Sequence, residues 1–133
     1  MFVLDTNILI YYFKGMGQVA EQLLNVSPSE IRIPTVVLFE LYVGIAKSSS
    51  PEKRSQQLSN LLTQVAVLPL DSKAAKCAAQ LRACLEEQGQ PISPIDILIA
   101  GTALAQSATL VTHNVREFSR VPELVVVDWF SRA

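Results

Sequence analysis

The chain has 133 residues, half of them hydrophobic and only 17% charged, with a formal net charge of −1. That length fits one domain, taken as residues 1–133, with a real core, and the low charge argues against a disordered chain. Near-neutrality gives no support to non-specific phosphate binding, although a local basic patch or a bound cation can serve instead.

Phe2 to Leu4 reads as a short buried strand that ends in Asp5. Thr6 or Asn7 can cap a helix over Ile8 to Phe13, which Gly15 and Gly17 close. Gln18 to Val26 follows as an amphipathic helix with Val19, Leu23 and Leu24 on its apolar side. Ile31 to Ile33 is a second strand, ended by Pro34, and Thr35 starts a strongly apolar helix to about Lys47. After a polar break at Ser48 to Ser50, Pro51 and Glu52 open a helix that runs to about Thr63. Val65 to Leu68 is a third strand, and Asp71 caps a long helix, Ser72 to Gln88, closed by Gly89.

Cys77 and Cys84 fall within that long helix, seven residues apart and so separated by roughly 10 Å of rise, too far for a disulfide. They read as small core residues of a reducing compartment, and the expected location is the cytoplasm. Gln90 to Pro94 is a loop and Asp96 to Gln106 another helix. Thr109 to Val111 and Leu124 to Val127 are the fourth and fifth strands. The longest apolar runs, Phe2 to Phe13 and Val36 to Ala46, are broken by Asp5 and Glu40 and are too short to span a membrane. No basic stretch precedes an apolar one at the N-terminus, so no signal peptide is read there. Strands alternating with helices predict an α/β fold, a three-layer α/β/α sandwich around a mostly parallel five-stranded sheet.

Three acids stand in apolar surroundings: Asp5 after Val3-Leu4, Glu40 after Leu38-Phe39, and Asp96 after Pro94-Ile95. A carboxylate is costly to desolvate without a partner. Taken singly, Asp5 serves equally well as a helix cap, Asp96 reads better as a cap or first-turn acid, and Glu40 serves equally well in an ion pair with Arg32 or Lys47. Taken together they point to a cation. Parallel sheets carry their sites beyond the carboxyl ends of the strands, where Asp5 falls and where Glu40 and Asp96 can be brought. Clustered carboxylates with all-oxygen ligands suit Mg²⁺ or Mn²⁺, ions that polarise a phosphoryl oxygen and activate water.

Four motifs in order carry a family resemblance: Leu4-Asp5-Thr6-Asn7, Glu40-Leu41-Tyr42-Val43-Gly44, Asp96-Ile97-Leu98-Ile99-Ala100, and Leu110-Val111-Thr112-His113-Asn114 with Arg116-Glu117-Phe118. The chain resembles the PIN-domain ribonucleases, and within them VapC, the toxin half of a toxin–antitoxin pair. The resemblance implies that Asp5, Glu40 and Asp96 bind metal and catalyse. It implies hydrolysis of RNA at one or two Mg²⁺ or Mn²⁺ ions, leaving a 5′ phosphate, and one branch of the family is described as cutting initiator tRNA in its anticodon stem-loop. Many members have an acid where this chain has Asn114; Glu117, one helical turn later, is the alternative fourth carboxylate. Thr6, Asn7 and Thr112 read as residues that orient carboxylates or water, with turn or cap roles as the plain alternative. Arg116 and Arg120 are candidates for RNA backbone contacts, or else a solvated face, which is the reading favoured for Arg120; His113 reads as neither phosphate ligand nor proton shuttle. The family further implies a homodimer and a small antitoxin whose tail covers the site, with helix faces around Ile8 to Phe13 and Val36 to Ile45 as contact surfaces.

Readings from other classes are weaker. Gly15-Met16-Gly17-Gln18-Val19-Ala20 matches a dinucleotide-binding turn with Glu40 about 20 residues on, but Asp5 and Asp96 would then have no role. A phosphatase of the Asp-x-Asp type needs an acid where Asn7 stands. A catalytically silent interaction module of the same fold is opposed by the three intact carboxylates.

Overall fold

Short apolar runs set the strands and longer ones the helices. The computed structural model describes residues 1–131. Its strands are β1 (Phe2–Leu4), β2 (Ile31–Pro34), β3 (Ala66–Leu68), β4 (Thr109–Val111) and β5 (Val125–Val127). Its α-helices are α1 (Thr6–Lys14), α2 (Val19–Leu24), α3 (Thr35–Ala46), α4 (Pro51–Leu62), α5 (Ser72–Glu87), α6 (Pro94–Ala105) and α7 (Val115–Phe118), with a 3₁₀ turn at Pro28–Glu30.

All strand pairs are parallel, in the order β3-β2-β1-β4-β5. The chain walks outward from β1 to β3, then returns past β1 to lay down β4 and β5. Right-handed crossovers put the connections before and after that reversal on opposite faces of the sheet, which makes three layers. The reversal falls between β1 and β4, where Leu4 is level with Val111. Parallel pairing runs one residue past the strands: Asp5 N–H donates to Val111 O at 2.9 Å, and Thr112 N–H donates to Val127 O at 2.9 Å. Both residues that reach the carboxyl edge are thus fixed by backbone bonds.

Val3, Leu4, Ile33, Leu110 and Val111 are fully buried, as expected for strands covered on both faces. Helices α5 and α6 approach so closely that a Cβ on Gly101 would lie 2.6 Å from that of Ala78. Helix α3 is apolar on nearly every side: Val36, Val37 and Leu41 are buried, while Phe39, Tyr42 and Val43 stay exposed.

Three predicted boundaries shift. Thr6 and Asn7 do not cap α1: its cap is Asp5, whose Oδ1 accepts from Thr6 N–H, because the chain turns directly off β1. Helix α6 begins at Pro94 rather than Asp96, capped by Ser93, whose hydroxyl accepts from Asp96 N–H at 3.2 Å. The predicted loop over Gln90–Pro94 is shorter for the same reason, since proline is at home in a first turn. Helix α2 covers only Val19–Leu24. Both cysteines are free.

Candidate active site

The reversal point gathers the predicted acids. Asp5 is 5% exposed. One oxygen caps α1 and the other accepts a 2.7 Å bond from the hydroxyl of Thr112, which is fully buried at the end of β4. Thr6 links Asp5 to the next acid: its N–H serves Asp5 and its hydroxyl donates to Glu40 Oε1 at 2.5 Å. Glu40 therefore takes a hydroxyl partner, not the ion pair with Arg32 or Lys47. Arg32 instead donates to the carbonyls of Ser29 and Ile31.

The second half of the rim is built on α6 and α7. Asp96 lies in the first turn of α6, hydrogen-bonded through its carboxyl to Glu117. Glu117 also accepts from Ser93 N–H at 3.2 Å and from Asn114 Nδ2 at 2.6 Å. Asn114 N–H in turn donates to the Thr112 hydroxyl at 3.0 Å, so a continuous chain of bonds runs from Glu40 through Asp5 to Glu117. Of the two alternatives for the fourth position, Glu117 is the one that touches another acid, and Asn114 orients it.

The protonation pattern follows from this crowding. Burial pushes Asp5 upward; the Thr112 hydroxyl and the Thr6 amide oppose it, and the charges of Glu40 and Glu117 add to the rise. Asp96 is pushed up to about 7, first by burial and next by the Glu117 charge. For Glu117 burial acts upward, but bonds from Ser93, Asn114 and Asp96 and the nearby Arg120 bring it below its ordinary range. Of these two crowded carboxyls, Asp96 is the one that binds a proton more readily. Arg120 is exposed and donates to Pro91 O at 3.0 Å. Asn7 and Arg116 are exposed.

As the side chains lie, no three acidic, His or Cys groups among the described residues converge around a common ion position. The three acids predicted as one cluster form a string of pairs because each turns to a hydroxyl or a proton. The donor set still fits a hard divalent cation. It is all oxygen, each ionised carboxyl has lone pairs to spare, and both Asp5 and Asp96 are pushed upward by burial and by neighbouring carboxylate charge, which a cation would offset.

Sequence reasoning missed Ser93 and Asp128. Ser93-Pro94-Ile95-Asp96 has the spacing of a capping box, and Asp128 follows β5 as Asp5 follows β1. Asp128 Oδ2 meets His113 Nδ1 at 2.9 Å, and its Oδ1 accepts from Phe130 N–H at 2.8 Å.

A parallel sheet of this order with acids at its reversal point is the architecture of a PIN domain, and the PIN domain family model matches residues 2–124. Over 128 residues the chain is 38% identical to the tRNA(fMet)-specific endonuclease VapC of Shigella flexneri, covering 96% of this chain and 97% of that one. The crystal structure of VapBC2 from Rickettsia felis bound to a promoter DNA fragment superposes with a TM-score of 0.90 at 34% identity, covering 96% of this chain and 98% of that one. DNA-bound VapBC from Salmonella typhimurium gives 0.89 at 35% identity, covering 96% and 97%. The chain belongs to the VapC family of PIN-domain proteins.

Proposed function

We propose that this chain is a divalent-metal-dependent endoribonuclease, the toxin of a VapBC-type pair, with RNA such as initiator tRNA as substrate. The observation that carries the reading is the bonded string Glu40–Thr6–Asp5–Thr112–Asn114–Glu117–Asp96 at the sheet's reversal point, in a chain so similar to a tRNA(fMet)-specific endonuclease. Asp5, Glu40 and Asp96 would hold Mg²⁺ or Mn²⁺, with Glu117 as the fourth carboxylate. The cation, when bound, polarises the phosphodiester and makes water a nucleophile near neutral pH. Thr6 and Thr112 hold Asp5 and Glu40 in place, Asn114 holds Glu117, and Asn7 and Arg116 are exposed at the rim for backbone contacts. Single strands and loops suit such a recessed site better than duplex.

Two protein partners belong to the reading. A groove of about 400 Å³ between α1, α3 and α4 is lined by Ile10, Phe13, Leu41 and Ile45, with Glu40, Lys14 and Arg54 also facing it. It would take the tail of the cognate antitoxin and so cover the site. The exposed stripe Phe39, Tyr42 and Val43 on α3 would pair two copies of the chain. No described helix is long and apolar enough to cross a membrane. We place the protein in the cytoplasm, as one PIN domain over residues 1–133.

Purified protein incubated with total bacterial RNA, in Mg²⁺ or Mn²⁺ and in chelator, tests the reading beside Asp5→Asn, Glu40→Gln and Asp96→Asn. Discrete fragments that require metal and vanish in the variants are expected, and sequencing their ends names the target. Intact RNA under every condition would overturn the activity and leave an interaction module of the same fold.

A further inference from the structure

The rim holds one aromatic group that the carboxylate chemistry does not use. His113 lies between Thr112, which bonds Asp5, and Asn114, which bonds Glu117, so its Cα is about 3.8 Å from each neighbour's. Its own side chain turns elsewhere and is held three ways. Nδ1 meets Asp128 at 2.9 Å, the Phe130 ring stacks on it at 4.3 Å and 36°, and Tyr11 meets it edge-on at 5.7 Å and 85°.

The support behind this ring is itself rigid. Asp128 is fixed by Phe130 N–H, and Phe130 O accepts from Gln18 N–H at 3.0 Å. Gly17 has φ +64°, and a Cβ there would lie 2.6 Å from the Phe130 ring, so the two segments touch without slack. Trp129 is buried and packs on Phe2 at 5.3 Å. Yet the His113 side chain remains 39% exposed. Phe130 at 4.3 Å and Tyr11 at 5.7 Å are themselves 4.7 Å apart, so both lie on one side of the ring and the exposure falls on the other. A carboxylate only accepts, so in the neutral ring Nδ1 carries the hydrogen and Nε2 keeps the lone pair. Three contacts thus immobilise an exposed polar ring that the core does not require, one residue from the acid network on either side.

We propose that the open face of His113 is a stacking platform for one nucleobase of the RNA, the base next to the phosphate held at the carboxylates; this rests on the ribonuclease reading. Aromatic side chains, histidine included, recognise unpaired bases by stacking, and a ring already fixed loses little freedom on binding. Phe130 lies behind as a second layer, so the base extends an existing stack. The Nε2 lone pair can accept from an exocyclic amine or a 2′-hydroxyl, which gives the platform a means of choosing among bases.

The test is a binding cycle in the inactive Asp96→Asn background, read by fluorescence anisotropy. The probe is a labelled RNA stem-loop copied from the anticodon arm of initiator tRNA, with each loop position made abasic in turn. With His113 present, one abasic position is expected to weaken binding by about 5- to 100-fold. His113→Asn keeps an N–H for Asp128 but removes the ring. It should bind the intact loop more weakly by a similar factor and be indifferent to that abasic position. His113→Phe restores a ring without the Asp128 bond and should recover most of the affinity. Undiminished binding by His113→Asn, or equal abasic penalties with and without the ring, would overturn the platform. Failure of the His113-containing protein to bind any loop would instead overturn the ribonuclease reading beneath it.

Discussion

Asp96→Asn separates electrostatic strain from simple loss of a side chain. Burial and the Glu117 charge hold the Asp96 pKa at about 7 against an ordinary 3.8. A carboxyl raised in the folded state favours folding while protonated and loses that contribution as pH rises from its unfolded value through its folded one. Roughly three pH units correspond to a ceiling of about 4 kcal/mol, and partial exposure to solvent cuts this to about 2 kcal/mol. Asparagine imitates the protonated acid, since its amide can donate to Glu117, but it never ionises. In chelator at pH 5 the variant should melt only slightly higher than the parent, since little more than a third of the window between the two pKa values has been crossed. At pH 8.5 the variant should melt higher, by about 5 to 8 °C for a domain of this size. Comparing the two proteins at each pH cancels the titrating groups that do not act on Asp96, Asp128 among them. Added Mn²⁺ should raise the parent's melting temperature at pH 8.5 and the variant's much less. A variant that gains nothing over the parent between pH 5 and pH 8.5 would refute the shared-proton account of Asp96 and Glu117.

Thr112→Val removes the hydroxyl that donates to Asp5 and accepts from Asn114 N–H, and should cost about 2 kcal/mol in urea unfolding with an unchanged slope. An unchanged midpoint would mean that Asp5 is held by its backbone alone. Asn114→Asp replaces the donor to Glu117 with a third negative group. In chelator it should unfold about 1 kcal/mol more easily, while calorimetry should find tighter Mn²⁺ binding than in the parent. Two helix glycines should respond in opposite directions. Gly44 has open space where a Cβ would stand, so alanine should stabilise α3 by about 0.5 to 1 kcal/mol; at Gly101 it meets the Ala78 backbone at 2.7 Å and should destabilise by about 1 to 3 kcal/mol. Thermal melts of both variants check the pair.

Much of this fold is legible because strand and helix alternate cleanly. Val3-Leu4 and Leu110-Val111 are uninterrupted apolar pairs, which parallel strands covered on both faces require, and all five strands lie where such runs occur. The site is half legible. Asp5, Glu40 and Asp96 stand out because each acid interrupts apolar sequence. Their partners do not, since a threonine that serves a carboxylate looks the same in sequence as one that ends a turn. Thr6 belongs to two acids at once, and only the direct turn from β1 into α1 makes that so. Asp128 carries the same signal as Asp5, an acid after a valine run. Its pairing with His113 spans 15 residues across the outer edge of the sheet, which no local pattern encodes.

The strand order also sets a timetable. Asp5 and Glu40 leave the ribosome early, but the threonine that steadies Asp5 stands 107 positions after it in the chain. At about 5 to 20 residues per second, that stretch takes roughly 5 to 20 s to synthesise. Until β4 slides in beside β1 there is no hydroxyl on Asp5, no Glu117 against Asp96, and no seam between the two halves of the sheet. A chain that stops short of β4 carries Asp5, Glu40 and Asp96 with the Thr6 link, but neither Thr112 nor Glu117 to complete the string. The seam between β1 and β4 is therefore the last part of the site to close, and everything built across it waits on a strand made long after its partner.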